Sequence, residues 1–255
     1  MECSNGTTMM KERISYDTND IIIKCTIFRL LYSKYSGGAV YACHIRGQIS
    51  YCQFLNCSSD SYGGAIDFNG ISMLIKYSSG EKCVSGKFGQ FASIRTIDKN
   101  KSSLTNCNIF DCGQDKNGNQ FTLAHYGGEV DDFDINITNN WVYGTASAIM
   151  SDYAAYSIYI RVVAINNTSD DIVTFGFWGG FKALFRRCIL KGNIQYDSRM
   201  GIVSLIDNTY CLFEKCLFSG NSNPLFAAYE GSIIIGKGCQ IDVVSYTFRK
   251  PEFPV

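Results

Sequence analysis

Apolar and polar residues alternate in short runs along the chain, broken by Gly, Asn, Asp and Ser, and no stretch keeps the 3.6-residue apolar spacing of a helix. Residues two apart share one side of a strand, so the pattern predicts strands of about 4–6 residues joined by turns. The runs also recur. CQFLNC at 52–57 matches CTIFRL at 25–30, CNIFDC at 107–112, CILKGN at 188–193 and CLFSGN at 216–221, with weaker copies INITNN at 135–140 and VVAINN at 162–167. The first positions, Cys25, Cys52, Cys107, Ile135, Val162, Cys188 and Cys216, are 27, 55, 28, 27, 26 and 28 residues apart. The step of 55 is two periods, which places a degenerate copy near residue 80, where Cys83 stands out.

A period near 27 suits a coil of three short strands and three turns. Helical repeats run to roughly 33–47 residues, and the leucine-rich repeat needs a leucine spacing that these copies lack. The expected fold is all-β, a right-handed parallel β-helix of about nine coils. Column one and column three (Ile27, Phe54, Ile109, Ile137, Ala164, Leu190, Phe218) should face inward, stacked about 4.8 Å apart. Column six reads Leu30, Cys57, Cys112, Asn140, Asn167, Asn193, Asn221. Four successive asparagines at one turn predict an amide ladder, because a buried amide without partners costs several kcal/mol.

A glycine element repeats as GGAV at 37–40, GGAI at 63–66, GGEV at 127–130 and ASAI at 146–149. Glycine at a corner permits positive φ and close backbone approach. Together with F-x-x-N segments, of which Phe218 to Asn221 is a literal match, the GGA(I/V) element resembles the polymorphic outer-membrane-protein repeats of chlamydial surface proteins and trichomonad protists. The resemblance spans Ile21 to about Tyr246. It implies a β-helix stalk with a role in adhesion and no catalytic residues.

The 255 residues carry 23 basic and 23 acidic side chains, so net charge is zero and no basic footprint for nucleic acid is expected. Residues 1–20 contain no apolar run and the most apolar stretch, 172–181, is too short to span a bilayer. No membrane insertion and an intracellular location are therefore expected. Twelve cysteines fall largely in inward columns, where a thiol packs as a small apolar group. Reduced thiols are expected, with Cys25–Cys52 and Cys188–Cys216 as the pairs nearest disulfide distance. Residues 1–20 read as an N-terminal cap with Met9, Met10 and Ile14 turned inward, 21–246 as the helix, and 247–255 as an extended tail. Irregular loops are expected at 78–100 and 113–126.

Chemistry on such a scaffold would rest on clustered carboxylates. Glu129, Asp131, Asp132 and Asp134 are the densest group, with His125 near, but alternation splits them between two faces. Asp170 and Asp197, 27 apart, should stack, and Arg161, Arg186 and Arg187 form a basic strip near the same edge. Tyr153, Tyr156, Tyr159, Trp178 and Phe181 are candidates for an aromatic surface, for a protein or a sugar. His44 is isolated, and no cysteine spacing suits zinc; neither metal nor cofactor is expected. Among sequons, Asn167 belongs to the proposed ladder and should be buried. The function expected is a rigid, non-enzymatic module that binds proteins along flat faces or through its tail in an intracellular assembly such as the cytoskeleton. A cell-surface adhesin and a polysaccharide lyase or hydrolase are the alternatives.

Overall fold

The computed structural model describes residues 3, 7–97, 99–113, 120–170, 174–196, 200–222 and 224–242. All its regular elements are strands, and all pair in parallel. The first face stacks nine strands: Ile21–Lys24, Arg46–Ser50, Ser72–Lys76, Lys101–Phe110, Glu129–Thr138, Tyr156–Ile160, Lys182–Arg186, Tyr210–Glu214 and Ile233–Lys237. A second face runs from Thr8–Met10 to Gln240–Ile241 and a third from Ile14–Tyr16 to Phe226–Ala228. Nine strands on the first face make eight steps, so the chain is a parallel β-solenoid of about eight turns rather than nine. Partners Ile21, Gly47 and Met73 are 26 residues apart, and Ser157 to Ala183 repeats that step.

The first and second faces meet at a corner where one residue per turn adopts positive φ: Cys25, Tyr51, Tyr77, Asn106, Asp134, Arg161, Arg187, Lys215 and Gly238. This corner resets the register of the first copy by one residue. Ile27 pairs with Gln53 and Phe28 with Phe54, so Thr26 and not Cys25 is level with Cys52. A one-residue slip reverses every side chain. Phe28 therefore stacks on Phe54 inside, with ring centroids 4.9 Å apart, and Leu31 rather than Leu30 is buried. Cys25 turns away from the thiol column and forms a disulfide with Cys3. Cys52, Cys107, Cys188 and Cys216 lie inward as free thiols.

The degenerate third copy is likewise resolved by geometry. Ser78 takes the place of the column-one cysteine and donates its hydroxyl to Lys76 O while accepting from Cys52 N–H. Cys83 belongs instead to column six, between Cys57 and Cys112. Of the expected loop at 78–100, residues 78–97 are no excursion: Ser79–Glu81, Val84–Ser85 and Ala92–Thr96 are regular strands of the stack. Gly80 supplies no side chain to the third column, and the Phe91 ring occupies that space. In the second expected loop, Leu123–Tyr126 is a strand, and residues 114–119 lie outside the described residues.

The N-terminal segment opens the stack rather than standing outside it. Thr8–Met10 pairs with 26–28 and Ile14–Tyr16 with 40–42. Met10 and Ile14 pack against the core, whereas Met9 is 59% exposed. Residues 243–255, including the expected tail, lie outside the described residues. Of the glycine elements, GGAV stacks on GGAI before the third face and ASAI holds the same place three turns further on, with 89–92 and 120–123 between; GGEV sits at a different corner, between Leu123–Tyr126 and Glu129–Thr138. The GGA geometry has a plain cause. Gly63 has φ +65°, and a Cβ on Gly64 would lie 2.2 Å from Gln90 O on the next turn, so the second glycine is set by backbone approach.

Candidate functional site

Asn140, Asn167, Asn193 and Asn221 form the amide ladder. Each Nδ2 of the first three donates to the Oδ1 of the next asparagine at 2.9–3.0 Å, and the same Oδ1 accepts the backbone N–H one turn up. The second Nδ2 hydrogen goes to a carbonyl on the preceding turn, Ile109 O for Asn140 and Ile137 O for Asn167. Cys57, Cys83 and Cys112 continue the column upward, and Cys112 N–H is the last backbone donor that an asparagine accepts from. The turn is thereby closed by side chains where backbone partners run out.

A second polar group lies in the core. Ser102 and Asp132 point inward from the first face and His125 from the third, all 0–1% exposed. Ser102 Oγ is 3.0 Å from His125 Nδ1, and His125 Nε2 is 3.2 Å from Asp132 Oδ2. Asp132 Oδ1 accepts Leu104 N–H at 2.9 Å where the strand pairing lapses between 102 and 105. The residue types match a nucleophile, a base and an orienting acid. Their burial does not: no surface opens on Ser102 Oγ, so a substrate carbonyl has no approach. The arrangement pairs polar atoms inside a column otherwise made of Ile75, Leu104, Tyr159 and Phe185.

The remaining acidic candidates diverge. Glu129 and Asp131 face outward, with Asp131 paired to Lys101. Asp134, at the positive-φ corner, is held by Arg161 through Nε and Nη2, and that contact lowers its pKa. Asp170 accepts Trp141 Nε1–H at 3.0 Å, and Asp197 lies outside the described residues. The aromatic surface also breaks up. Tyr159 is fully buried, stacked on Phe185 at 4.5 Å, and Phe181 is 4% exposed. Trp178 packs edge-on to Phe121 in a small cluster outside the third face. Only Tyr153 and Tyr156 of that group are exposed. Strand parity is reset at the corners of each turn, at Tyr153 and again at Arg161, and spacing alone does not carry a face across them. His44 sits exposed at a corner with φ +60°.

Three carboxylates that the repeat columns do not flag converge elsewhere. Asp152, Asp207 and Glu230 close the ends of three strands on the third face. Burial, reinforced by Asp207, raises Asp152 to about 6, and a hydrogen bond to Asp207 raises Glu230. A carboxyl raised in the folded state contributes stability that is full below its unfolded value and is lost as pH rises through the folded one. Stability is thus expected to fall by about 1 kcal/mol between roughly pH 4 and pH 7, a figure discounted for half-exposure. Asp152→Asn should reduce that slope in urea titrations repeated across this range; an unaltered slope would refute the assignment.

Two grooves flank the positive-φ corner. One, of about 440 Å³, is lined by Tyr51, Tyr77, Gln53, Ser79, Asn106 and Asn108 among others, and its tyrosine rings stack at 4.9 Å. The other, of about 450 Å³, is lined by Arg186, Arg187, Glu214, Lys215, Lys237 and Gly238. No group of three or more His, Cys, Asp or Glu among the described residues is placed to hold a metal. The described residues include no helix long and apolar enough to cross a membrane. No family model, curated protein or solved structure matches the chain.

Proposed function

We propose that this chain is a rigid, non-catalytic β-helix module that binds partners along its outer faces. The observation that carries this reading is the inward placement of Ser102, His125 and Asp132, the one close contact of those three residue types among the described residues, behind a closed wall of strands. The grooves that do open outward carry tyrosines, amides and cations, which hold a ligand without needing to move its protons. A continuous ladder of parallel strands keeps these side chains at fixed spacing, as a scaffold requires.

A second reading, display at a cell surface as an adhesin, is favoured by the Cys3–Cys25 disulfide, since such bonds persist in oxidising surroundings. The decisive experiment for the first reading combines two measurements on the full chain. Polyuronates and neutral glycans incubated with the protein should show no new reducing ends and no unsaturated products, and cross-links to captured partners should map to strand faces. Turnover would overturn the non-catalytic reading. Cross-links confined to the chain termini would overturn the face-binding one. Mass spectrometry of the native protein under non-reducing conditions separates the two locations: an intact Cys3–Cys25 bond supports the surface, a fully reduced chain the cell interior.

A further inference from the structure

The groove at the C-terminal end of the positive-φ corner is a local concentration of charge in a chain of zero net charge. Arg186, Arg187, Lys215 and Lys237 contribute four cations and Glu214 one anion. Glu214 is engaged by Arg186, whose Nε and Nη2 both reach its Oε2 at 2.8 Å. The pair fixes the Arg186 guanidinium and leaves Arg187, Lys215 and Lys237 without a carboxylate partner among the described residues. Arg187 and Lys215 occupy successive corner positions with φ +56° and +54°. Their backbone N–H groups are already bonded to Glu214 O and Lys237 O on the next turn. Their side chains are therefore carried outward on a rigid backbone, one turn apart.

Deepening the proposed function, on which it rests, we infer that this groove binds the acidic groups of a linear anionic polysaccharide. One cation per turn gives a charge period of about 4.8 Å, on the order of the length of one sugar unit in an extended chain. The same corner leads back through the Asp134–Arg161 ion pair to the groove of Tyr51 and Tyr77. From Tyr51 to Lys215 is six turns, a track of about 29 Å. At the far end, aromatic rings beside Gln53, Ser79, Asn106 and Asn108 offer apolar contact and hydroxyl partners for uncharged parts of a sugar chain. A nucleic acid suits the basic groove less well. It would need either stacking rings among the cations, and none lines that groove, or many more phosphate contacts than four side chains supply.

The test titrates the full-length protein with a sulfated polysaccharide, a polyuronate, neutral dextran and single-stranded oligothymidylate at physiological salt. Binding of one or both anionic glycans is expected, weakening as salt rises, and the stronger of the two identifies sulfate or carboxylate as the recognised group. Arg187→Ala/Lys215→Ala should weaken that binding at least tenfold. The exposed control Lys11→Ala/Lys34→Ala should change it less than twofold, with melting curves showing both variants folded. Unchanged affinity in the groove variant, or tighter binding of oligothymidylate than of either glycan, would overturn the assignment. Failure here with face-mapped cross-links intact leaves the scaffold reading in place; glycan turnover would defeat that reading while leaving the groove assigned.

Discussion

Asn167→Ala is expected to remove about 3–5 kcal/mol of stability, since it orphans several buried groups at roughly 1–3 kcal/mol each. Asn140 loses the acceptor of both its backbone N–H and its Nδ2, and Ile137 O and Asn193 Oδ1 each lose a donor. The site is fully buried, so water cannot replace them without opening the turn. Asn221→Ala, at the end of the ladder and 7% exposed, should cost clearly less. Asn167→Cys places there the residue that the chain itself uses at Cys57, Cys83 and Cys112, where the sulfur meets backbone oxygens at 3.5–3.9 Å. It should therefore fall between the two. Because each turn of a solenoid touches only its neighbours, the Asn167→Ala defect should appear in amide hydrogen exchange as local opening around 138–168, with the turns near Cys52 still protected. Urea titration showing less than 1 kcal/mol of loss would mean the ladder is an ornament of the turn and not its fastening.

The ladder was legible in the sequence because its signal is chemical and periodic: an amide held at one repeat position over four turns needs the amide below it as a partner. The inward thiols of Cys52, Cys107, Cys188 and Cys216 were legible for the same reason. What the repeat could not supply was phase. Cys25 matches Cys52 by residue type at a spacing of 27, yet the turn there is 26 residues long, and the real equivalent is Thr26. Where a column holds Thr, Cys, Ser, Ile and Val, identity cannot reveal a slip of one, although burial alternation does. The small groups at Ser78 and Gly80 hid a regular turn inside what looked like a loop. The basic groove was half visible. Arg186 and Arg187 stood out as neighbours, but Lys215 and Lys237 join them only through pairing of Arg186 with Glu214 and of Glu214 with Lys237. Asp152, Asp207 and Glu230 lie at or just past the ends of third-face strands, beyond the buried column of Val40, Ile66, Ala92, Leu123, Ile149, Phe175 and Val203 that marks the period there.

Asp132→Ala should cost about as much as the ladder defect, roughly 3–5 kcal/mol, for a related reason. Asp132 occupies a position that Leu104 and Tyr159 hold on the adjoining turns, and its Oδ1 is the acceptor for Leu104 N–H where strand pairing lapses. Removing it leaves that N–H and His125 Nε2 facing a cavity. Asp132→Asn should be far milder, on the order of 1 kcal/mol. Its amide oxygen can still accept from Leu104, and its NH₂ can donate to His125 Nε2 once the ring gives its other hydrogen to Ser102 Oγ. His125→Leu together with Asp132→Leu removes both polar partners. Its loss should be smaller than the sum of the two single changes, yet remain above zero because Leu104 N–H still lacks an acceptor. That pattern, read from urea midpoints of the four proteins, is what a structural polar seam produces. Additive losses, or an Asp132→Ala protein as stable as the parent, would show that the three residues are not energetically joined. The case for a sealed, non-reacting core would then rest on their burial alone.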